Sequence, residues 1–544
     1  MIKIEEALKE KICLAVNQLG IDITVDEIVI ETPKDESLGD FSTNVALKYA
    51  RVLKDSPQNI AEKITNILQN DISFKSVTVA GPGFINFVLN PAVYYFYLPS
   101  IISEDNVFGT FPRNGVKLNL EYVSANPTGD LHLGHARGAA IGDSLSRILM
   151  KAGYDVTREF YVNDAGKQVE NLALSLYARY LQSLGVNCSL PEDGYYGQDV
   201  IDIAKEIKNK IGDKYLDSAL ENKALAFFLK EGKKRELAKI KKDLKGFRVL
   251  FDVYTNETDI RKKYNLEDLI SRLGDNTYIS EGARFLKTSA YLDDKDRPIV
   301  KSDGSYTYLL PDIAYHLDKM SRGFDFLIDV LGADHHGYIP RITSALMMFG
   351  YPEKSLSVEI IQMVRLVREG AEVKMSKRTG NAYRLRDLVS EAGLDSVRYF
   401  FVNRSASTHL DFDLDLALEK SNANPVYYAQ YAHARLAKVL KLGRKYDLDL
   451  SGDRLIESQE MGLMKQIVAF EKVILEAANE RAPYKIANYI QKLANSIHYF
   501  YTKSRLINPA DVELTKARLG LAKAAQIVMK NSLELIGVSA PLKM

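Results

Sequence analysis

Two histidines three residues apart, His132 and His135, flank Gly134 in the run LNLEYVSANPTGDLHLGHAR, residues 118–137. Imidazoles at that spacing can donate hydrogen bonds to phosphate oxygens. A glycine between them removes side-chain bulk, so a flat base or a phosphate can come close to the backbone. Such chemistry calls for a helix start, where unpaired backbone N–H groups attract anions, and the local sequence predicts one. Leu118, Leu120 and Tyr122 alternate as in a buried strand. Ser124, Asn126, Pro127, Thr128 and Gly129 end that strand, and residues 136–152 carry the apolar period of a helix. The stretch reads as a nucleotide site, although two histidines at a helix start could also cap it or hold a metal. A second group, Lys374-Met375-Ser376-Lys377, lies in the polar, glycine-bearing segment REGAEVKMSKRTGN after an apolar run at 359–367. Two lysines on a mobile loop suit closure onto a triphosphate as point charges.

HxGH beside a first strand, followed far along the chain by KMSK, resembles the signature pair of class I aminoacyl-tRNA synthetases. The flanks narrow the resemblance. EYVSANPTGDLHLGHARG (121–138), YVNDAGKQ (161–168), FDVYTNE (251–257), GADHHGY (332–338) and NPVYYAQYAHAR (424–435) are similar to arginyl-tRNA synthetases of bacterial type, in family order over nearly the whole chain. The resemblance implies two steps. L-Arginine is activated with ATP to arginyl-adenylate and pyrophosphate, and arginine then passes to the 3′-terminal ribose of tRNA(Arg). Mg²⁺ would ride on ATP, and no protein-bound metal is expected. His132, Gly134, His135, Lys374, Met375, Ser376 and Lys377 match the positions that handle the ATP phosphates. The loop reads KMSKR where the wider class usually has Ser after the second lysine.

Arginine presents a planar, permanently charged guanidinium, so its pocket should offer in-plane carboxylates. Tyr308 and Asp312 stand four apart at the start of a helical pattern, which predicts a shared face. By resemblance they are the arginine-binding pair, with Glu257 a second carboxylate. Ser124, Asn126 and His135 match positions at the α-amino and carboxylate end of the substrate. Asp334, His335 and His336 follow a predicted strand at 326–332, where α/β sheets place ligands. They match substrate or adenosine contacts, though Asp-His-His in isolation also invites a metal reading.

Positioning these groups requires a doubly wound sheet, and the patterns at 109–415 alternate accordingly. Predicted strands fall at 116–123, 155–162, 326–332 and 360–367, and predicted helices at 136–152, 166–184, 311–319 and 340–349. A charged, largely helical insertion spans about 186–295. Within it, residues 230–248 hold nine basic and three acidic side chains, read as a solvated face with RNA contact as the alternative. Residues 1–108 read as an α+β unit, with helical patterns at 4–19, 44–53 and 60–68 and a β-like stretch at 77–89. By resemblance it contacts the D-loop corner of tRNA. Phe84 and Asn86 match positions that stack on and hydrogen-bond a loop base; a buried Phe and a turn-capping Asn are the alternative. Residues 416–544 read as an α-helical bundle with helices at 426–442, 462–478, 485–505 and 518–535. By resemblance it binds the anticodon, with Tyr428, Tyr431 and Arg435 on contact positions; core packing of the tyrosines is the alternative, preferred for Tyr427.

The fold class expected is therefore multidomain α/β: a Rossmann-type parallel-sheet catalytic domain, an α+β N-terminal domain and a C-terminal helical bundle. The 544 residues are 46% hydrophobic and 26% charged, as in an ordinary soluble globular chain. Lys and Arg number 72 against 71 Asp and Glu, so RNA contact must come from local patches. The two cysteines, Cys13 and Cys188, predict no disulfide framework and fit a reducing cytoplasm. No apolar run suggests membrane insertion, and a monomer is expected. Another class I synthetase, or a silent paralogue that only binds tRNA, is the rival reading. Loss of His132, His135 or a KMSK lysine would favour the silent paralogue.

Overall fold

The computed structural model describes residues 1–373 and 383–544. Its centre is a five-stranded sheet built from β1 (Lys117–Tyr122), β2 (Asp155–Val162), β3 (Val253–Asn256), β4 (Phe326–Gly332) and β5 (Leu356–Ile361). All neighbours pair in parallel, in the order β5-β4-β1-β2-β3. The order of strand addition reverses at β1, so the crevice at the carboxyl ends of β1 and β4 is the expected ligand position. Strand β1 is buried on both faces: Leu118, Leu120 and Tyr122 on one, Asn119 and Glu121 on the other. A charge placed there must find partners inside the protein.

The helix Leu133–Lys151 leaves β1 and is buried on nearly every side, lying between the sheet and the C-terminal helices. It approaches the sheet closely, because Gly142 meets the Tyr122 ring with no room for a Cβ.

Two sequence expectations need correction. The run 360–367 is not one strand. Its first residues end β5, and Val364–Arg368 begins a separate sheet with Leu410–Asp413 and Ala371–Glu372. The chain turns at Gln362, whose N–H donates to Ala406 O at 2.9 Å and whose carbonyl accepts from Arg137 at 2.8 Å. An unbroken apolar run conceals such a turn. The stretch 186–295 is helical at Gln198–Ile211, Glu221–Gly246, Glu257–Lys263 and Leu266–Leu273, but does not consist of helices alone. It also holds β3, which rejoins the central sheet, and strands Thr277–Ser280 and Ala283–Leu286 of an antiparallel sheet completed by Arg297–Val300. These strands have four residues each and are mostly half-buried or exposed, too short to show a period.

At the N-terminal end, helices Ile2–Asn17, Val45–Leu53 and Pro57–Leu68 cover a three-stranded antiparallel sheet of Phe41–Thr43, Phe84–Leu89 and Phe74–Ala80. The C-terminal bundle comprises Pro425–Leu442, Ser458–Asn479, Tyr484–Lys503 and Val512–Leu535. Asn424 caps the first of these by accepting from Val426 N at 3.1 Å, with Pro425 in the first turn. The N-terminal unit docks on the bundle through Lys472–Glu5 at 2.7 Å and the Lys465–Asp40 pair. Among the described residues, no helix is long and apolar enough to cross a membrane.

Candidate active site

The carboxyl end of β1 is strained. Val123 and Ser124 have φ of 71° and 41°, a region that side-chain-bearing residues rarely occupy, and consecutive outliers of this kind cluster at functional turns. Four bonds hold the turn. Ser124 Oγ donates to Glu121 Oε1 at 2.7 Å and accepts from Tyr161 N at 3.2 Å. Ser124 O accepts from Asn163 Nδ2 at 3.1 Å, and Asn126 Nδ2 donates to Gln168 Oε1. The turn delivers the chain to His132, the N-cap of Leu133–Lys151. Its Nδ1 accepts from Gly134 N at 3.2 Å, while His135 Nδ1 accepts from His132 N at 3.4 Å. The rings stack with centroids 3.8 Å apart. A ring whose Nδ1 accepts a backbone N–H carries its proton on Nε2, so in both imidazoles the ring donor is Nε2–H. A Cβ on Gly134 would crowd the His132 ring at 3.1 Å.

Beneath this turn lies a buried charge cluster that the sequence reading missed. Lys319, with no exposed surface, donates to Asp329 Oδ1 at 2.8 Å and to Glu121 Oε2. His316 Nε2 donates to Asp329 Oδ2 at 2.8 Å. Its Nδ1 donates to Asp312 O at 2.8 Å and lies 3.4 Å from Asp312 Oδ1. Burial works against the charge on His316, yet Asp312 and Asp329 raise its pKa to about 10. Burial likewise opposes ionisation of Asp329, but Lys319 and His316 hold its carboxyl well below the usual range. Burial pushes Glu121 up, against the pull of Lys319. Within this cluster three carboxylates share two cations, and Asp312 is the most exposed of the three. Alongside, Glu159 accepts from Asn119 at 2.6 Å, Thr255 at 2.6 Å, Tyr315 at 3.1 Å and Arg322 at 2.7 Å. The signal was present in LNLEY and FLIDVLG: an acid inside an apolar strand of a two-sided sheet demands a buried partner.

The charges of Asp312 and Glu257 both act on Tyr161. Burial first, then the charges of Glu257, Asp312 and Glu121, push the Tyr161 phenol far above its ordinary value. Burial first and then the Asp312 charge push the Tyr338 phenol far above its ordinary value, and the Tyr338 ring meets His335 edge-on at 6.3 Å. Glu257 opens the helix Glu257–Lys263 directly after β3 and accepts from Arg261. Ser124, Asn126, His132, Gly134, His135, Asp312, Glu257 and His335 thus all lie at the carboxyl edge of the sheet. Tyr308 is set apart from them. It is the residue before the helix Leu309–Ser321, and its side chain is 86% exposed on the rim.

Lys374, Met375, Ser376 and Lys377 lie outside the described residues, as do the side chains of Asp334 and His336. The chain that follows the KMSK stretch is anchored at the HLGH turn. Arg384 bridges to His132 through the backbone, and Leu385 N donates to Leu131 O at 2.8 Å. Asp130 accepts from Arg384 at 3.1 Å and from Arg386, and pairs with Lys239 at 3.1 Å. Lys239 belongs to the basic stretch 230–248, where Lys233 pairs with Asp164 at 2.8 Å and Arg235 with Glu206. Lys241 lies 3.6 Å over the Tyr254 ring. Much of that charge therefore ties the inserted helix to the sheet, while Lys230, Lys234, Lys242 and Lys245 are exposed.

Of the two RNA candidates, Phe84 is exposed and Asn86 is buried in mid-strand, paired with Ser42 and Thr78. Two residues apart on one strand, they share a face. In the bundle, Arg435 lies 4.3 Å over the Tyr431 ring and 4.9 Å over Tyr501, and donates to His498 Nδ1 at 3.1 Å. Tyr428 packs on His498 at 4.3 Å, and Tyr427 stacks on Tyr431 at 6.1 Å. All four of Tyr427, Tyr428, Tyr431 and Arg435 are half-buried, so this is one ladder with an accessible edge.

Three family models match in succession. "Arginyl tRNA synthetase N terminal domain" matches residues 3–89, "tRNA synthetases class I (R), catalytic domain" matches 97–437, and "DALR anticodon binding domain" matches 429–544. An arginine–tRNA ligase of Bacillus subtilis is 49% identical over 552 residues, covering 100% of this chain and 99% of the relative. One of Geobacillus kaustophilus is 49% identical over 554 residues, with coverage of 100% and 99%. A solved Thermus thermophilus arginyl-tRNA synthetase, 23% identical, superposes with a TM-score of 0.76 over 99% of both chains, a likeness of fold.

Proposed function

Because the chain belongs to the class I arginyl-tRNA synthetases, ligases that join arginine to tRNA at the expense of ATP, we propose that its residues divide that task as follows. The arginine carboxylate attacks the α-phosphorus of ATP. One P–O bond forms, the bond to the bridging oxygen breaks, and pyrophosphate leaves with its Mg²⁺. A carboxylate is already a nucleophile, so the protein's part is to hold the reactants in line and to neutralise charge on phosphate oxygens. His132 and His135 donate from Nε2 to phosphate and ribose oxygens, and Gly134 keeps the approach open. Lys374 and Lys377, with Met375 and Ser376 shaping their loop, meet the β- and γ-phosphates. In the second step a terminal ribose hydroxyl of tRNA attacks the adenylate carbonyl, and AMP departs.

Selection of arginine falls to Asp312 and Glu257, with Ser124 and Asn126 at the α-amino and carboxylate end and Tyr308 covering the rim. Asp334, His335 and His336 lie toward substrate or adenosine. Phe84, Asn86, Tyr428, Tyr431 and Arg435 hold tRNA(Arg). The domain boundaries 1–108, 109–415 and 416–544, a monomeric enzyme and a cytoplasmic location complete this reading; neither cysteine is in a disulfide, as a reducing compartment would leave them. The observation that carries it is the carboxylate excess of the Asp312–His316–Asp329–Lys319–Glu121 cluster at the switch point of the sheet. It suits a permanent cation and penalises a neutral side chain.

The test is ATP–pyrophosphate exchange with arginine, and with lysine as control, each run with and without tRNA(Arg). Arginine-specific exchange in either condition supports the assignment, and Asp312→Asn should then raise the arginine KM by about a hundredfold with the ATP KM within twofold. Equal loss for both substrates would remove Asp312 from the pocket.

A further inference from the structure

Glu257 already holds a guanidinium, and it is the chain's own. Arg261, one helical turn further on, donates from Nε at 2.9 Å and from Nη2 at 2.6 Å, both to Oε1. The carboxylate is largely buried, whereas the arginine side chain is 41% exposed and has room to swing outward. Its basic neighbours are committed elsewhere: Lys263 pairs with Asp318 at 2.5 Å and Lys262 with Asp259 at 3.9 Å. The same carboxylate acts on the Tyr161 phenol, as do Asp312 and Glu121. A buried carboxylate without a cation is costly, and a tethered guanidinium removes that cost before any substrate arrives.

We propose that Arg261 is a built-in stand-in for the substrate side chain, holding Glu257 until the guanidinium of arginine displaces it. This rests on Glu257 facing the substrate, as proposed above. Arginine binding then exchanges one guanidinium–carboxylate pair for another at Glu257, while Asp312, paired with His316, supplies a fork site that no arginine of the chain occupies among the described contacts. Arg261 thereby sets the arginine concentration at which the enzyme half-saturates. It lowers affinity without touching the reacting atoms.

The experiment is aminoacylation of tRNA(Arg) at varied arginine with wild type, Arg261→Leu, Arg261→Lys, Glu257→Gln and the Arg261→Leu/Glu257→Gln pair. Melting curves of each variant confirm folding. Displacement predicts that Arg261→Leu lowers the arginine KM by about fivefold, with kcat and the ATP KM within twofold, since a competing state is removed. Arg261→Lys, which keeps charge but not the fork, should fall between. The gain should vanish in the Glu257→Gln background. An arginine KM in Arg261→Leu that is unchanged or raised overturns the proposal, the second outcome marking Arg261 as a support for Glu257. If Glu257→Gln alone leaves the arginine KM at the wild-type value, the assignment of Glu257 itself is overturned, and the two failures are thereby told apart.

Discussion

Among single residues the most informative is His316. Both its ring nitrogens donate to oxygens, and Asp312 and Asp329 raise its pKa from 6.5 to about 10. The folded chain therefore keeps a proton that the unfolded chain releases near neutrality. The contribution is complete below 6.5 and is lost as pH climbs toward 10. Thermal midpoints should fall through that window, and His316→Gln should flatten the slope while lowering stability at pH 6. The motif residues were legible because their types are chemically unusual at a strand–helix junction. His316 and Lys319 were not, since a lone base on a helix reads as surface until its three-dimensional partners, Asp329 and Glu121, come from other strands.

At the level of elements, the strands that flank the site could be read directly: 155–162 and 326–332 coincide with β2 and β4. Their apolar runs are long and bounded by turns. β3 escaped because four half-buried residues show no alternation. What no pattern shows is how closely elements approach. Gly142 admits the helix Leu133–Lys151 onto Tyr122, and an added Cβ would lie 2.3 Å from the ring. Gly142→Ala should cost about 1–3 kcal/mol, read as a lower denaturant midpoint with unchanged slope, because neither the buried ring nor the helix can retreat. On the bundle, the first helix presents Tyr431 and Arg435 as one stacked pair at 4.3 Å. Tyr431→Ala and Arg435→Ala should each raise the tRNA KM by about tenfold and leave the ATP KM alone, as expected for lost stacking on a base. An unchanged tRNA KM would return both to a packing role.

Across the whole molecule, the catalytic sheet, the inserted helix and the bundle are joined by buried arginines. Arg137 donates at 2.8–2.9 Å to the carbonyls of Gln362, Thr408 and Ser405. Arg398, fully buried, donates to Asp143 at 2.5 Å, to Phe247 O at 3.0 Å and to Ile536 O at 2.9 Å. Arg398→Leu should destabilise by about 3 kcal/mol in denaturant melts, since it leaves the buried Asp143 with Arg147 alone and takes the Arg398 donor from two carbonyls. The arrangement also has a consequence for synthesis on the ribosome. Ile536 lies 138 residues beyond Arg398, so at about 5–20 residues per second a nascent chain waits roughly 7–28 seconds before that acceptor is made. During that interval Asp143 and Phe247 are available but the last clasp is not. The catalytic half must therefore emerge unfinished and close only when the end of the bundle folds back onto it, so the order of translation sets the order in which the active site becomes rigid.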